Sequence, residues 1–282
     1  MPPGADSATP RSLLTTFFGA FVRDLGGWIA VADLIGLMAD VDLDAQAVRS
    51  AVSRLKRRGV VVAERRGAAA GYRLTPAAHA MLAAGDARIF GRPGPAPAAG
   101  AEWLLVSFSI PEAQRALRHR LRSRLEWLGL GTVAPAVWIG PARVEPEVRA
   151  LVAEFGLAGR VELFRAEHAG FTPAPEALAR WWDLDAIAAE YRAYLGAWRP
   201  RLARVRRRRG PLGPAEAFAA HLRQLDAWRR IPFHDPGLPP SALPADWPGP
   251  AAWAVFAELT ERLGPVALGH VTGRVGPRAR AA

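Results

Sequence analysis

The chain of 282 residues contains no cysteine. A disulfide framework and a thiolate metal site are therefore both excluded, and nothing points to an oxidising compartment. Lysine is nearly absent as well. Of 37 basic residues only Lys56 is lysine, and the rest are arginine. The six histidines are scattered, and none forms a metal-ligand pair at helical or loop spacing. No apolar run approaches the roughly eighteen residues needed to cross a bilayer. The run LLTTFFGAFV after Arg11 echoes a secretion signal, but Arg23 and Asp24 interrupt it, and the same residues fit an amphipathic helix. These absences point to a cytoplasmic protein with no membrane partner. Enzyme chemistry also finds little footing. There is no serine in a nucleophile-elbow setting, no Gly-rich phosphate loop and no histidine cluster. The reading is of a protein that is not an enzyme and holds no cofactor.

What the sequence does contain is apolar residues (50% of the chain) and a net charge of +11. The first can fill a sizeable core, and the length suits two or three domains. The second favours an acidic partner only weakly, because high Ala, Gly, Pro and Arg together are the mark of GC-rich coding. Where the charge sits matters more.

Residues 1–11 read as a disordered Pro/Gly/Ala tail, with Ser12 as the first helix cap. Leu13, Leu14, Phe17, Phe18, Phe21 and Val22 then recur at helical spacing. A second apolar helix follows WIA. Asp44 caps a third, which Gly59 closes. VVVAER and YRLT, joined by GAAAG, form a hairpin, and Thr75-Pro76 opens a further helix. The order helix, helix, helix, hairpin over 12–90 predicts a winged helix-turn-helix. GRPGPAPAAGA (91–101) is a linker. Strands at 103–110, 136–140 and 160–166 alternate with helices, so 102–172 reads as a ferredoxin-like α/β sandwich. Residues 173–270 read as a mostly helical C-terminal domain, with a last helix near 250–263. Residues 271–282 form a loose tail. The fold class is α+β.

The third helix carries the chemistry. On a helical wheel Val48, Ala51, Val52 and Leu55 fall on one side, and Gln46, Ser50, Ser53 and Arg57 on the other. Arg49, Arg54 and Lys56 flank the polar row. A face that is small and polar down its middle and cationic at its margins suits the major groove of double-stranded DNA. Small residues allow close approach, Arg and Gln read base edges, and the margins meet phosphates. Arg65, Arg66, Tyr72 and Arg73 decorate the wing beside it. The competing explanation is an ordinary solvated helix. The segment 44–66 holds seven basic residues against Asp44 and Glu64, and its place as third helix favours DNA.

The runs RSLLTTFFGAFVRDLGGWI, AVRSAVSRLKRRGVV and GYRLT resemble the PaaX family, repressors of phenylacetic acid degradation. WLGLGTVAPAVWIGP (127–141), WWDLDAIAAEYRAYL and HDPGLPPSALPADWPG (234–249) extend the resemblance over residues 11–265. It implies a homodimeric regulator with a Cas2-like central domain and an aryl-acyl-CoA effector such as phenylacetyl-CoA. This chain departs at Asp226-Ala227-Trp228-Arg229-Arg230, where the family often has His-Glu-Tyr-Arg-Arg. A regulator answering a different metabolite, or none, is therefore the alternative.

Ten tryptophans, most of them beyond the linker, would line an aromatic effector pocket or simply fill the core. Trp181 and Trp182 stand out, since adjacent helical positions cannot face one core equally. Arg192, Trp228, Arg229 and Arg230 complete the candidate effector set, with salt bridges to nearby carboxylates as the competing role for the arginines. The run RPRLARVRRRRG (199–210) would hold CoA phosphates or add non-specific DNA affinity, or else form an exposed loop. Two further alternatives are a non-specific Arg-rich nucleic-acid binder and a metal-dependent nuclease of the Cas2-like domain. The second meets Ser107 and Ser109 where a carboxylate would be wanted, with Glu112 the nearest acid.

Overall fold

The computed structural model describes residues 9–91, 103–210, 212–238 and 243–275. They fall into two compact units. The first comprises Met1–Gly91, Ala193–Arg229 and Ala251–Ala282, the second Arg92–Arg192 and Arg230–Pro250.

The first unit opens with α1 (Pro10–Phe17), which continues through a wider helical turn, Phe18–Val22. Thr9, not Ser12, caps it, its Oγ1 accepting from the Ser12 amide at 3.2 Å. The helix begins three residues earlier than its apolar pattern suggests because Pro10 tolerates the first helical position. The residues before Thr9 lie outside the described set. Gly26 and Gly27, at φ +83° and +74°, turn the chain into β1 (Trp28–Ala30). Next come α2 (Val31–Ala39), α3 (Ala45–Arg57), β2 (Val61–Arg66), β3 (Ala69–Leu74) and α4 (Pro76–Phe90). The three strands form an antiparallel sheet in the order β1-β3-β2. Gly71 sits at its centre because a Cβ there would meet the Trp28 ring at 2.3 Å.

In the second unit, β4 (Trp103–Phe108), α5 (Arg115–Trp127), β5 (Gly131–Ala134), β6 (Val137–Pro141), α6 (Glu145–Glu154) and β7 (Val161–Ala166) follow in turn. The antiparallel sheet runs β5-β6-β4-β7. That is the βαββαβ connectivity of a ferredoxin-like sandwich. The pattern reading saw three of its four strands and missed β5. This edge strand is short, has a bulge between Thr132 and Ala134 and is half exposed, so it shows no alternation. Both helices pack on one face of the sheet, around Leu121, Leu125, Trp138, Val148 and Leu151.

The C-terminal helices are α7 (Ala174–Trp181), α8 (Leu184–Arg207), α9 (Pro214–Trp228), a single turn α10 (Ile231–His234) and α11 (Gly249–Arg274). They do not stand apart as one body. Phe218 and Leu222 of α9, with Ala267 and Val271 of α11 and Val275 just beyond it, share the core of Phe17, Leu34, Val52 and Leu55 in the first unit. The remaining segments belong to the second unit. The residues from 271 expected to be loose are helical to Arg274, because Leu263, Ala267 and Val271 keep a four-residue spacing and all are buried. The rest of that tail, and the linker apart from Gly91, lie outside the described residues. No described helix is long and apolar enough to cross a membrane.

Candidate nucleic-acid interface

The face of α3 is set by its cap and its burial. Asp44 has extended backbone, and its Oδ1 accepts from the Ala47 amide at 2.7 Å. Gly59, at φ +68°, donates its amide to the Lys56 carbonyl and ends the helix. Val48, Ala51, Val52 and Leu55 are at most 2% exposed. Gln46, Arg49, Ser50, Ser53, Arg54, Lys56 and Arg57 all face outward, as does Arg58, the C-cap. Among the described residues none of these five arginines and lysines forms an ion pair. No carboxylate among the described residues neutralises their charge. That is the electrostatic condition for meeting a polyanion.

The turn into α3 is held from behind. Asp42 adopts φ +60°. Arg223 of α9 donates Nη2 to Asp42 Oδ2 at 2.6 Å and to the Val41 carbonyl at 3.0 Å. His270 and Arg274 of α11 lie 2.8 and 3.7 Å from Asp40 Oδ2. Sequence reading missed Arg223, His270 and Arg274, because nothing local links positions some 180 to 230 residues apart.

The hairpin gives a mixed result. Arg65 is exposed, and its Nη2 donates to the Ala68 carbonyl at the turn. Arg66 and Arg73 are both engaged by Glu64, whose carboxyl they hold below its usual range, Arg73 most. Trp28 Nε1 donates to the Glu64 carbonyl, and the Arg66 guanidinium lies 5.1 Å from the Trp28 ring. Strand periodicity explains the cluster, since Val62, Glu64 and Arg66 share one face with Arg73, the cross-strand partner of Val62. Tyr72 is half-buried against the core. Of the four wing candidates, Arg65 is the one both exposed and clear of Glu64.

The candidate effector residues are divided between the two units. Trp228 is fully buried in the first unit, its Nε1 donating to the Ile89 carbonyl at 2.8 Å and its ring stacked 4.6 Å from Phe256. Arg229 beside it donates Nε to Thr16 Oγ1 at 2.7 Å and lies 3.2 Å from Asp226 Oδ1. These two hold helices together. Trp181, Trp182, Arg192 and Arg230 belong to the second unit. The helix ends between the two tryptophans, as Trp182 has extended backbone (φ −125°, ψ 142°), so both rings reach Trp103. Trp182 Nε1 donates to the Gly129 carbonyl at 3.0 Å. Arg192 pairs with Asp246 at 3.1 Å, and Arg230 is exposed at the start of α10. Trp181 and Trp182 do line a cleft of about 370 Å³, shared with Trp138, Asp183, Glu190 and His234. The Arg run of 199–210 is helical to Arg207, since Leu202 continues the buried spacing from Trp198. Arg206 is bound to Glu258, Arg208 to Glu216, and Arg201 lies over Trp198.

At the end of β4, Glu112 pairs with Arg118 at 2.6 Å. Among the described residues no group of three His, Asp or Glu side chains could hold a metal ion.

Comparison with known proteins agrees along the whole length. Residues 9–78 match the model of the PaaX-like protein family, 97–178 that of the PaaX protein central Cas2-like domain, and 182–273 that of the PaaX-like protein C-terminal domain. The transcriptional repressor PaaX of Escherichia coli is 27% identical over 93% of this chain and 82% of its own. The solved structure of the uncharacterized protein Rv0674 from Mycobacterium tuberculosis shares the fold, with a TM-score of 0.55 at 21% identity over 92% of this chain and 97% of that one. Three domain models laid end to end, and a relative of the same name over nearly the full length, make this chain a member of the PaaX family.

Proposed function

We propose that the chain is a cytoplasmic, sequence-specific DNA-binding repressor that acts as a homodimer. In this reading the first unit is a winged helix-turn-helix whose α3 enters the major groove. Two copies would place their α3 helices in successive grooves about 34–36 Å apart on a partly palindromic operator. The observation that carries the reading is the outward face of α3, with small polar residues along its middle and no ion pair on Arg49, Arg54, Lys56, Arg57 or Arg58 among the described residues. The repressor relative supports it. Dimerisation through the second unit is favoured by its sheet, where Phe164 and Val133 are 54% and 40% exposed.

An aryl-acyl-CoA such as phenylacetyl-CoA would release the operator by binding the off-DNA state better than the on-DNA state. One observation favours a second reading, in which a different metabolite is the effector. The tryptophan-lined cleft carries Glu126, Asp183 and Glu190, and carboxylates repel the phosphates of CoA. The test is binding to the DNA upstream of the chain's own gene at physiological salt, with and without phenylacetyl-CoA. Tight specific binding abolished by the thioester is the expected result. Binding that the thioester leaves untouched would keep the repressor and discard this effector. Equal affinity for unrelated duplexes at matched salt would overturn sequence specificity.

A further inference from the structure

The second unit carries a cationic surface that the proposed function leaves unused. Helix α5 presents Arg115, Arg118, Arg120, Arg122 and Arg124, with Glu126 as its one acidic residue. Helix α6, on the same face of the same sheet, has the opposite balance, Glu145, Glu147 and Glu154 against Arg149. Codon bias would scatter arginine over both helices, so this segregation has another cause. Charge pairing along the helix does not supply one. Arg118 and Arg122, and Arg120 and Arg124, are like charges four apart, which costs a helix a few tenths of a kcal/mol per pair.

Geometry points the same way. Arg118 is neutralised by Glu112. Among the described residues Arg115, Arg120, Arg122 and Arg124 have no ion pair. Three of these guanidinium groups instead lie over aromatic rings, Arg120 4.8 Å from Phe155, Arg124 5.0 Å from Trp127 and Arg122 6.0 Å from Trp138. A guanidinium held on a ring keeps its rim of N–H donors free, with less freedom to lose on meeting an anion. Several such groups along one helix suit a row of phosphates, not a single one.

We propose that α5 is a second DNA-binding surface, contacting the phosphate backbone of duplex DNA without reading its sequence. This rests on the reading of the chain as a DNA-binding protein. It assigns to the central domain a share of the affinity that α3 alone would otherwise carry.

The test is the salt dependence of binding by the full chain, measured on an operator duplex and on a duplex of unrelated sequence. Replacing Arg120, Arg122 and Arg124 together by Gln should make the slope of log K against log salt shallower by about 2.7 on both duplexes, roughly 0.9 for each phosphate no longer neutralised. The corresponding triple Lys variant should keep most of the slope, because the charge remains. If the triple Gln variant does not fold, each single Gln variant should reduce the slope by about 0.9. Operator binding with an unchanged slope would overturn the α5 proposal and leave the DNA-binding reading standing. An equal loss in the Lys variant would also overturn it, by showing that packing and not charge was disturbed. A wild-type chain that binds neither duplex would overturn both.

Discussion

Ser12 Oγ donates to Asp226 Oδ1 at 2.6 Å, joining α1 to α9 across 214 positions. Both residues are buried, at 5% and 2% exposed. Thr16 Oγ1 donates to the same carboxylate oxygen at 2.6 Å, and Arg229 closes the group by donating Nη2 to Ser12 Oγ at 3.0 Å. Removing Asp226 would take away the carboxylate that Arg229 faces and the acceptor oxygen that the Ser12 and Thr16 hydroxyls share. Asp226→Ala should therefore destabilise the fold by about 3 kcal/mol, read as a lower denaturant midpoint. Serial loss of Ser12 and Thr16 as Ala variants should each cost less, since one hydroxyl still reaches the carboxylate.

Arg49→Ala should lower operator affinity at least about tenfold with a nearly unchanged melting temperature. The side chain is exposed and makes no ion pair in the described residues, so the fold loses nothing with it. Electrophoretic titration beside a thermal melt would check both halves. Unaltered binding would remove Arg49 from the DNA face.

Gly71→Ala should be among the more damaging small substitutions in the first unit. The added carbon would meet the Trp28 ring at 2.3 Å and the Ile29 carbonyl at 2.5 Å, and neither has room to withdraw. The expected cost is on the order of 1–3 kcal/mol, and the tryptophan fluorescence should shift as Trp28 is displaced.

His221 is buried beside Phe21, its Nδ1 3.3 Å from Gln224 Nε2. Burial disfavours its charged form and lowers its pKa to about 4. The unfolded chain, with an ordinary histidine near 6.5, takes up the proton first as pH falls. Stability should therefore decline between about pH 6.5 and about pH 4 and level off below, a loss on the order of 3 kcal/mol from this residue. His221→Leu should flatten that part of the stability profile. A profile as steep as the wild type would clear His221 of the role.

The pair His234 and Glu190 has the opposite sense. The carboxylate raises the histidine's pKa, so its contribution is fully present below about pH 6.5 and is lost as pH rises through the higher folded value. Both side chains are about half exposed, so the effect on stability is small. It should be visible as a downward shift of the His234 titration in Glu190→Gln, followed by NMR.

Local pattern revealed what local physics determines. Asp44, Gly59 and the apolar row from Val48 to Leu55 made α3 and its outward face readable, and the family resemblance was readable from the same residues. The limits fall where long-range packing decides. Trp228 and Arg229 looked like ligand-binding groups because they are aromatic and cationic. In the fold Trp228 sits in the core and Arg229 bridges α9 to α1, placements that only the arrival of Ile89, Phe256 and Ser12 beside them could reveal. Arg66 and Arg73 looked free until the hairpin register brought them both to Glu64. Strand β5 carried no signal because an exposed, bulged edge has no buried face to mark it.

The packing of α9 and α11 into the core of the first unit has a consequence for synthesis. Leu14, Phe17 and Leu55 leave the ribosome early, but Phe218, Leu222, Ala267 and Val271, which share their core, follow only after roughly two hundred more residues. At 5–20 residues per second that is a wait on the order of ten to forty seconds. During this time the second unit can already have folded, while the apolar face that will receive α11 is still uncovered. A chain cut short before α11 would thus fail to complete the unit that bears α3, so truncated products are poorly equipped to occupy the site meant for the finished protein.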